Sequence, residues 1–348
     1  MKIIDVKVSI VEVGSPASGG RPSRTWQNIF VQVMTDGGVT GEFFGWGDNQ
    51  SGRVAGDAIA GLYRPLLVGR SVVGAVPMAA VGAVDLALWD IAGKVAGVPV
   101  YKLLGGYRDK IRAYASPLQQ PSPKAYAEMC RDLVAKGYTA IKLHVLGGPQ
   151  EHIAACRAAR EAVGDGIDLM LDSHCRYDHR EALIVGRELE RLHFYFYEEP
   201  LPNTDIEGYR ELCQALDIPV AATETMYWSD PAHFTPYMFR RIADIVRPDA
   251  KYGITMTKKV ADMCDAFGVK FELHGFGFAC CQFANLNIMG SCRSTDFFEK
   301  MLPDEGYNAC ARDTVQIDRE GFVHMPVKPG LGIDYDLDEI KKRTVLTL

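Results

Sequence analysis

The chain has 348 residues, 47% hydrophobic and 24% charged, and its 38 basic and 44 acidic side chains give a formal net charge of −6. This is the composition of a folded globule, not of a disordered or low-complexity segment. Mild acidity without a Lys/Arg block excludes nucleic acid and anionic membrane as partners.

Along the chain, Lys2–Val13 alternates apolar and polar residues with period two, the pattern of a half-buried strand and not the solid apolar core of a secretion signal. Asn28–Met34 and Val39–Trp46 are β-rich runs around Thr-Asp-Gly-Gly, which predicts a hairpin. The longest apolar stretch, around Ala75–Val84, covers about ten residues, half of the ~20 that span a bilayer. A soluble, cytoplasmic protein is expected. Ala79–Ala96 has helical periodicity through Val81, Val84, Leu88 and Ile91, and Pro99 ends it. Strands followed by helices predict an α+β domain over residues 1–108.

From Ile111 a second rhythm sets in. The β-rich runs IRAYAS, AIKLH, LMLDSH, FYFYEEP, VAATET, DIVRPDA, FELHG and DFFEK alternate with helical windows. Eight strand–helix units of this length predict a parallel (β/α)8 barrel of the TIM type over residues 109–310. A last hairpin (Thr314–Ile317 and Phe322–Met325) and a polar tail make up residues 311–348, expected to return to the N-terminal domain as part of a cap. Nine cysteines are scattered with no C-x-x-C pair, which fits reduced thiols and argues against a zinc site.

Catalytic groups in such barrels gather at the C-terminal ends of the strands. Lys142, Asp172, Glu198, Glu224, Asp249, His274 and Glu299 follow one another in steps of 30, 26, 26, 25, 25 and 25 residues, one βα unit each. Asp172, Glu198 and Glu224 are like charges on adjacent strands, and they repel unless a cation lies between them. Hard oxygen donors without thiolate or imidazole suit Mg²⁺. Two sets of base candidates flank them. Lys142 and His144, two residues apart, share a strand face; His274 follows Asp249, an aspartate that would fix its tautomer.

These segments resemble the enolase superfamily, and within it the mandelate racemase-like group acting on sugar acids and related carboxylates. The matching stretches are ALWDIAGKVAGVPVYKLLGG, TAIKLH, LMLDSH, FYEEPLP, PVAATE, VRPDAKYGIT, FELHGF and FFEKMLPDE. The resemblance implies that Asp172, Glu198 and Glu224 bind one Mg²⁺ and that His274 with Asp249 is a dyad serving one substrate face. Lys142 and His144 would stand at a Lys-x-Lys motif, with Lys142 on the substrate carboxylate, and Glu299 would contact the same carboxylate. It further implies an even-numbered homo-oligomer and a small carboxylate substrate.

Four departures stand out. His144 replaces the commoner lysine, which leaves open which of Lys142, His144 and His274 is the base. Ala-Ala-Thr precedes Glu224 where glycines are usual. His174 sits two residues beyond Asp172 and is an acid candidate, and the stretch from Leu67 to Ala79 is short. Trp46 and Arg24, with Arg21 and Arg53, fall where a capping loop could reach substrate. The expected activity is dehydration: the proton α to the carboxylate is removed through an enediolate, the β-hydroxyl leaves, and a 2-keto-3-deoxy acid forms. A racemase, epimerase or lactone cycloisomerase using the same residues is the first alternative, and a non-catalytic barrel the second.

Overall fold

In a computed structural model, residues 1–15, 24–46, 52–70, 82–224, 231–275 and 279–348 are described. Two sheets organise them. The first is antiparallel and four-stranded. β1 (Ile3–Ser15) pairs with β2 (Arg24–Thr35), which pairs with β3 (Thr40–Trp46). Val6, Val8 and Ile10 of β1 are buried, the inward side of the expected alternation. The C-terminal segment supplies the fourth strand: β13 (Thr344–Thr347) lies beside β1 with Ser9 opposite Thr347. Helix α1 (Gly82–Ala96) packs on this sheet. Gly41 of β3 is the point of closest approach, since a Cβ there would collide with the Ala87 carbonyl.

Eight parallel strands follow: β4 (Lys110–Ser116), β5 (Ala140–His144), β6 (Asp168–Asp172), β7 (Phe196–Glu198), β8 (Val220–Ala222), β9 (Ile245–Val246), β10 (Lys270–Phe271) and β11 (Phe297–Met301). Each pairs with its sequence neighbour from β4 to β10, and β11 pairs back with β4. This is the (β/α)8 barrel, capped by the α+β layer to which both ends of the chain contribute. Between β10 and β11 one backbone bond remains, from Phe271 N–H to the Ser294 carbonyl. The buried Glu272 side chain bridges the rest, accepting from Asp296 N–H (2.7 Å), Phe297 N–H (3.2 Å) and the Thr295 hydroxyl (3.0 Å).

One sequence expectation is corrected. Thr314–Ile317 forms no strand, and Phe322–His324 (β12) pairs antiparallel with the outer edge of β4, not within a C-terminal hairpin. The turn is present, with Asp318 N–H donating to the Phe322 carbonyl, but Thr314–Ile317 does not continue it as a strand. All nine cysteines are free, and seven are buried as the sequence suggested. Among the described residues no helix is long and apolar enough to cross a membrane.

The barrel interior is layered. Tyr114, Ala140, Met170, Phe196, Ala221, Ile245 and Phe297, one from each of seven strands, pack together as an apolar floor. Side chains alternate along a strand, so the next inward layer comes two residues later. It consists of Ser116, Lys142, Asp172, Glu198, Thr223, Arg247 and Glu299, every one polar and buried. The chain thus changes from apolar to charged in a single step up the barrel.

A candidate metal centre at the barrel mouth

The charged layer is held by two buried cations. Lys142 Nζ donates to Glu198 Oε2 (2.8 Å) and Glu299 Oε1 (2.8 Å). Arg247 pairs through Nε with Glu198 Oε1 and through Nη2 with Glu299 Oε2 (2.7 Å), and its Nη1 donates to the Tyr114 hydroxyl (3.2 Å) on the floor. Glu299 also accepts from the Ser116 hydroxyl and from Gly275 N–H, both at 2.8 Å. Burial opposes its ionisation, but Lys142 and Arg247 outweigh it and hold the carboxyl well below the usual range.

Above this layer the metal candidates converge. Asp172, Glu198 and Glu224 each offer an oxygen within 4.8 Å of the others. Glu224 arrives by an irregular route. Alternation from Ala221 would bring Thr223 inward and turn Glu224 away, but Thr223 stands at φ +88°, and Glu224 joins the other two. Left-handed residues also follow the ligand positions on the two preceding strands, at His174 (φ +51°) and Glu199 (φ +41°). Such non-glycine residues cost energy, and they cluster at functional sites.

The donor set fits a hard divalent cation on three grounds. All three donors are carboxylates. Among the described residues Glu224 Oε2 is buried without a hydrogen-bond partner, and Arg247 Nη2 stands 3.7 Å from it. Asp172, Glu198 and Glu299 of the buried layer, with the half-buried Glu224 above them, outnumber Lys142 and Arg247 four to two. The strain shows in Glu198, whose carboxyl is pushed up to about 8 by burial although Arg247 and Lys142 pull it down. Asp172 is held low: burial opposes this, but His174, His144 and Lys142 prevail.

Histidines stand on both sides. His274 Nδ1 lies 3.0 Å from Asp249 Oδ2 and its Nε2 lies 3.2 Å from Glu224 Oε1. Lys251 Nζ shares the same Asp249 oxygen at 2.9 Å. Burial works against a charged imidazole at His274, yet Glu224 and Asp249 raise its pKa above the usual value. Across the mouth, His144 and His174 stack with centroids 5.4 Å apart and planes 18° from parallel. His144 Nε2 lies 3.4 Å and His174 Nδ1 3.2 Å from Asp172 Oδ2. Burial lowers the pKa of His174.

The chain matches the family described as "Enolase C-terminal domain-like" over residues 125–340, and "Mandelate racemase / muconate lactonizing enzyme, N-terminal domain" over residues 56–105. The chain belongs to the enolase superfamily. Within its mandelate racemase-like group, the chain is 32% identical to arabinonate dehydratase of Saccharolobus solfataricus over 74% of its own length and 70% of that protein. It is 31% identical to D-galactonate dehydratase of Xanthomonas euvesicatoria, over 91% and 90%. Among solved structures, D-glucarate dehydratase from Agrobacterium tumefaciens complexed with magnesium superposes with a TM-score of 0.88 at 30% identity, covering 99% of this chain and 100% of that one.

The structure brings Lys142, His144, Asp172, His174, Glu198, Glu224, Asp249, His274 and Glu299 to one mouth. Arg24 opens β2 and Trp46 ends β3, but their side chains lie outside the described residues, as do Arg21 and most of the stretch from Leu67 to Ala79. Arg53 is exposed and paired with Asp57 (2.7 Å), an ordinary i,i+4 surface pair. Sequence reasoning missed Arg247. Applied to β9, the alternation that pairs Lys142 with His144 would have paired it with Asp249.

Proposed function

We propose that this protein is a Mg²⁺-dependent dehydratase of a sugar acid, an aldonate or an aldarate. The observation that carries the reading is the convergence of Asp172, Glu198 and Glu224 between two groups of histidines on opposite sides of one mouth. The relatives are named as dehydratases of arabinonate, galactonate and glucarate, and the last is a magnesium complex, which supports both the substrate class and the ion.

Asp172, Glu198 and Glu224 would hold the ion. Once bound, Mg²⁺ supplies positive charge that stabilises the negative charge developing on the substrate carboxylate as the α-proton departs. Lys142, kept protonated by its two carboxylates, orients that carboxylate and is unsuited to be the base. Glu299, saturated with donors, steadies Lys142 and Arg247. His274, oriented through Nδ1 by Asp249, takes the α-proton on Nε2. His174, on the other side, protonates the departing β-hydroxyl. One C–H and one C–O bond break, water leaves, and the resulting enol ketonises to a 2-keto-3-deoxy acid. Ser116 and Gly275 fix Glu299, while Asn285 holds the His274 carbonyl (2.8 Å).

A panel of aldonic and aldaric acids, assayed with Mg²⁺ for semicarbazide-reactive keto acid, tests this reading. Turnover on at least one acid, abolished by EDTA and restored by Mg²⁺, is expected. Deuterium entering the α-carbon in D₂O with no keto acid formed would replace dehydration by epimerisation, and inertness across the panel would defeat the proposal.

A further inference from the structure

The histidine side of the mouth holds a second constellation. His144, Asp172 and His174 each offer a donor atom within 4.8 Å of the others, a group distinct from the three carboxylates but sharing Asp172 with them. Its donors are two imidazoles and one carboxylate.

The hydrogen bonding of His144 makes this more than a coincidence of positions. His144 Nδ1 lies 2.9 Å from the carbonyl oxygen of Pro117. A carbonyl can only accept, so Nδ1 carries the proton. In the neutral ring Nε2 then presents a lone pair, and it faces the carboxylate oxygen Asp172 Oδ2 at 3.4 Å. Either a proton on Nε2 or a cation shared by the two groups joins this nitrogen to the carboxylate, and the three donors of the cluster lie close enough together for the second. A histidine that donates one ring N–H to a backbone carbonyl and turns the other nitrogen toward a carboxylate has the outer hydrogen bond typical of a metal-ligating imidazole.

The spacing agrees. Asp172 Oδ2 lies 3.4 Å from His144 Nε2 and 3.2 Å from His174 Nδ1. For an ion roughly 2.05 Å from each donor, those separations subtend angles of about 112° and about 103°, on either side of the tetrahedral value. His174 is one-third exposed, so the cluster is reachable from solvent. Imidazole suits Zn²⁺, Co²⁺ and Ni²⁺ far better than it suits Mg²⁺.

We propose that His144, His174 and Asp172 form a second cation site, selective for borderline transition ions of the Zn²⁺ and Co²⁺ class, beside the carboxylate site. Because Asp172 belongs to both, filling this site draws one ligand away from the other and ties up two imidazoles of the mouth. The site is inhibitory. That last consequence rests on the proposed dehydratase chemistry, whereas the binding itself does not.

Co²⁺ is the probe, added to the full-length protein at saturating Mg²⁺ and without substrate. The expected result is the visible absorption of four- or five-coordinate cobalt. His144→Ala and His174→Ala should each abolish that spectrum and weaken Co²⁺ binding, followed by calorimetry, at least about tenfold. Glu224→Gln, which damages only the carboxylate site, should keep it. His144→Asn and His174→Asn, with circular dichroism of every variant, separate loss of a ligand from loss of the fold. A wild-type spectrum of octahedral cobalt alone, or a tetrahedral one that survives both histidine variants and disappears in Glu224→Gln, overturns the proposal. Since no substrate is present, failure of the dehydratase reading would leave this outcome unchanged.

Discussion

Thr223 accepts the backbone N–H of Arg247 on its hydroxyl oxygen at 2.9 Å while its own backbone stands at φ +88°. A β-branched residue there is strained by about 1–3 kcal/mol, and the bond to Arg247 together with the Asn203 amide oxygen on Thr223 N–H (3.2 Å) holds it in place. Thr223→Gly loses the hydroxyl but relieves the backbone; Thr223→Ala loses the hydroxyl and keeps most of the strain. In thermal unfolding Thr223→Gly should melt above Thr223→Ala. The reverse order would show that the left-handed backbone is not what places Glu224.

Arg247 is fully buried and touches Glu198, Glu299 and Tyr114. Arg247→Met removes one of two cations from a layer already short of positive charge. Breaking one partner of such a buried network costs about 3–5 kcal/mol. Urea unfolding should show that loss, and Arg247→Lys should recover part of it, since an ammonium keeps the charge but cannot reach all three partners. A loss below about 1 kcal/mol for Arg247→Met would contradict the charge count drawn above.

The two histidine groups should separate in kinetics. His274→Asn is expected to remove both dehydration and α-proton exchange with D₂O, by roughly 10²–10⁴-fold. His174→Asn should suppress dehydration to a similar degree while exchange at the α-carbon persists. Exchange that survives in His274→Asn and is lost in His174→Asn would swap the roles of base and acid.

Asp85 caps the helix α2 (Ile254–Phe267) from a distance: the residue before that helix is Gly253, with no side chain, and Thr255 N–H donates instead to Asp85 Oδ2 at 3.0 Å. Trp89 Nε1 donates to the Thr255 hydroxyl at 2.9 Å. Burial above all pushes the Asp85 carboxyl up to about 6, against bonds from Thr255 that pull it down. A native pKa above the unfolded value means that the folded state holds its proton longer. The stability contributed is complete below the unfolded pKa of 3.8 and falls away as pH rises through about 6. Asp85→Asn should therefore gain on the wild type by roughly 2 kcal/mol between pH 4 and pH 7, read from denaturant titrations. A difference that does not change with pH would refute it.

Most of the site was legible because barrels repeat. From Asp172 onward one βα unit recurs every 25 or 26 residues, and that interval found Asp172, Glu198 and Glu224. The same counting hid Arg247. It took Asp249 as the group of the sixth barrel strand, yet Asp249 sits two residues above the layer that holds Lys142 and Glu198. Glu224 was found by spacing although it violates alternation, because only the backbone angle of Thr223 reveals how it turns inward. The expected hairpin over Thr314–Met325 failed for a different reason: its second strand pairs with β4, and strand pairing at long range leaves no local signal. The tautomer of His144 depends on Pro117, 27 residues away, and no local pattern encodes it.

Glu272 closes the barrel where backbone pairing is sparse. The amide protons of Asp296 and Phe297 are therefore shielded by a single carboxylate, and their exchange with solvent should follow the motions of that side chain. Isotope labelling of the native protein would see this seam loosen ahead of the other seven, making it the hinge line along which the cylinder first parts.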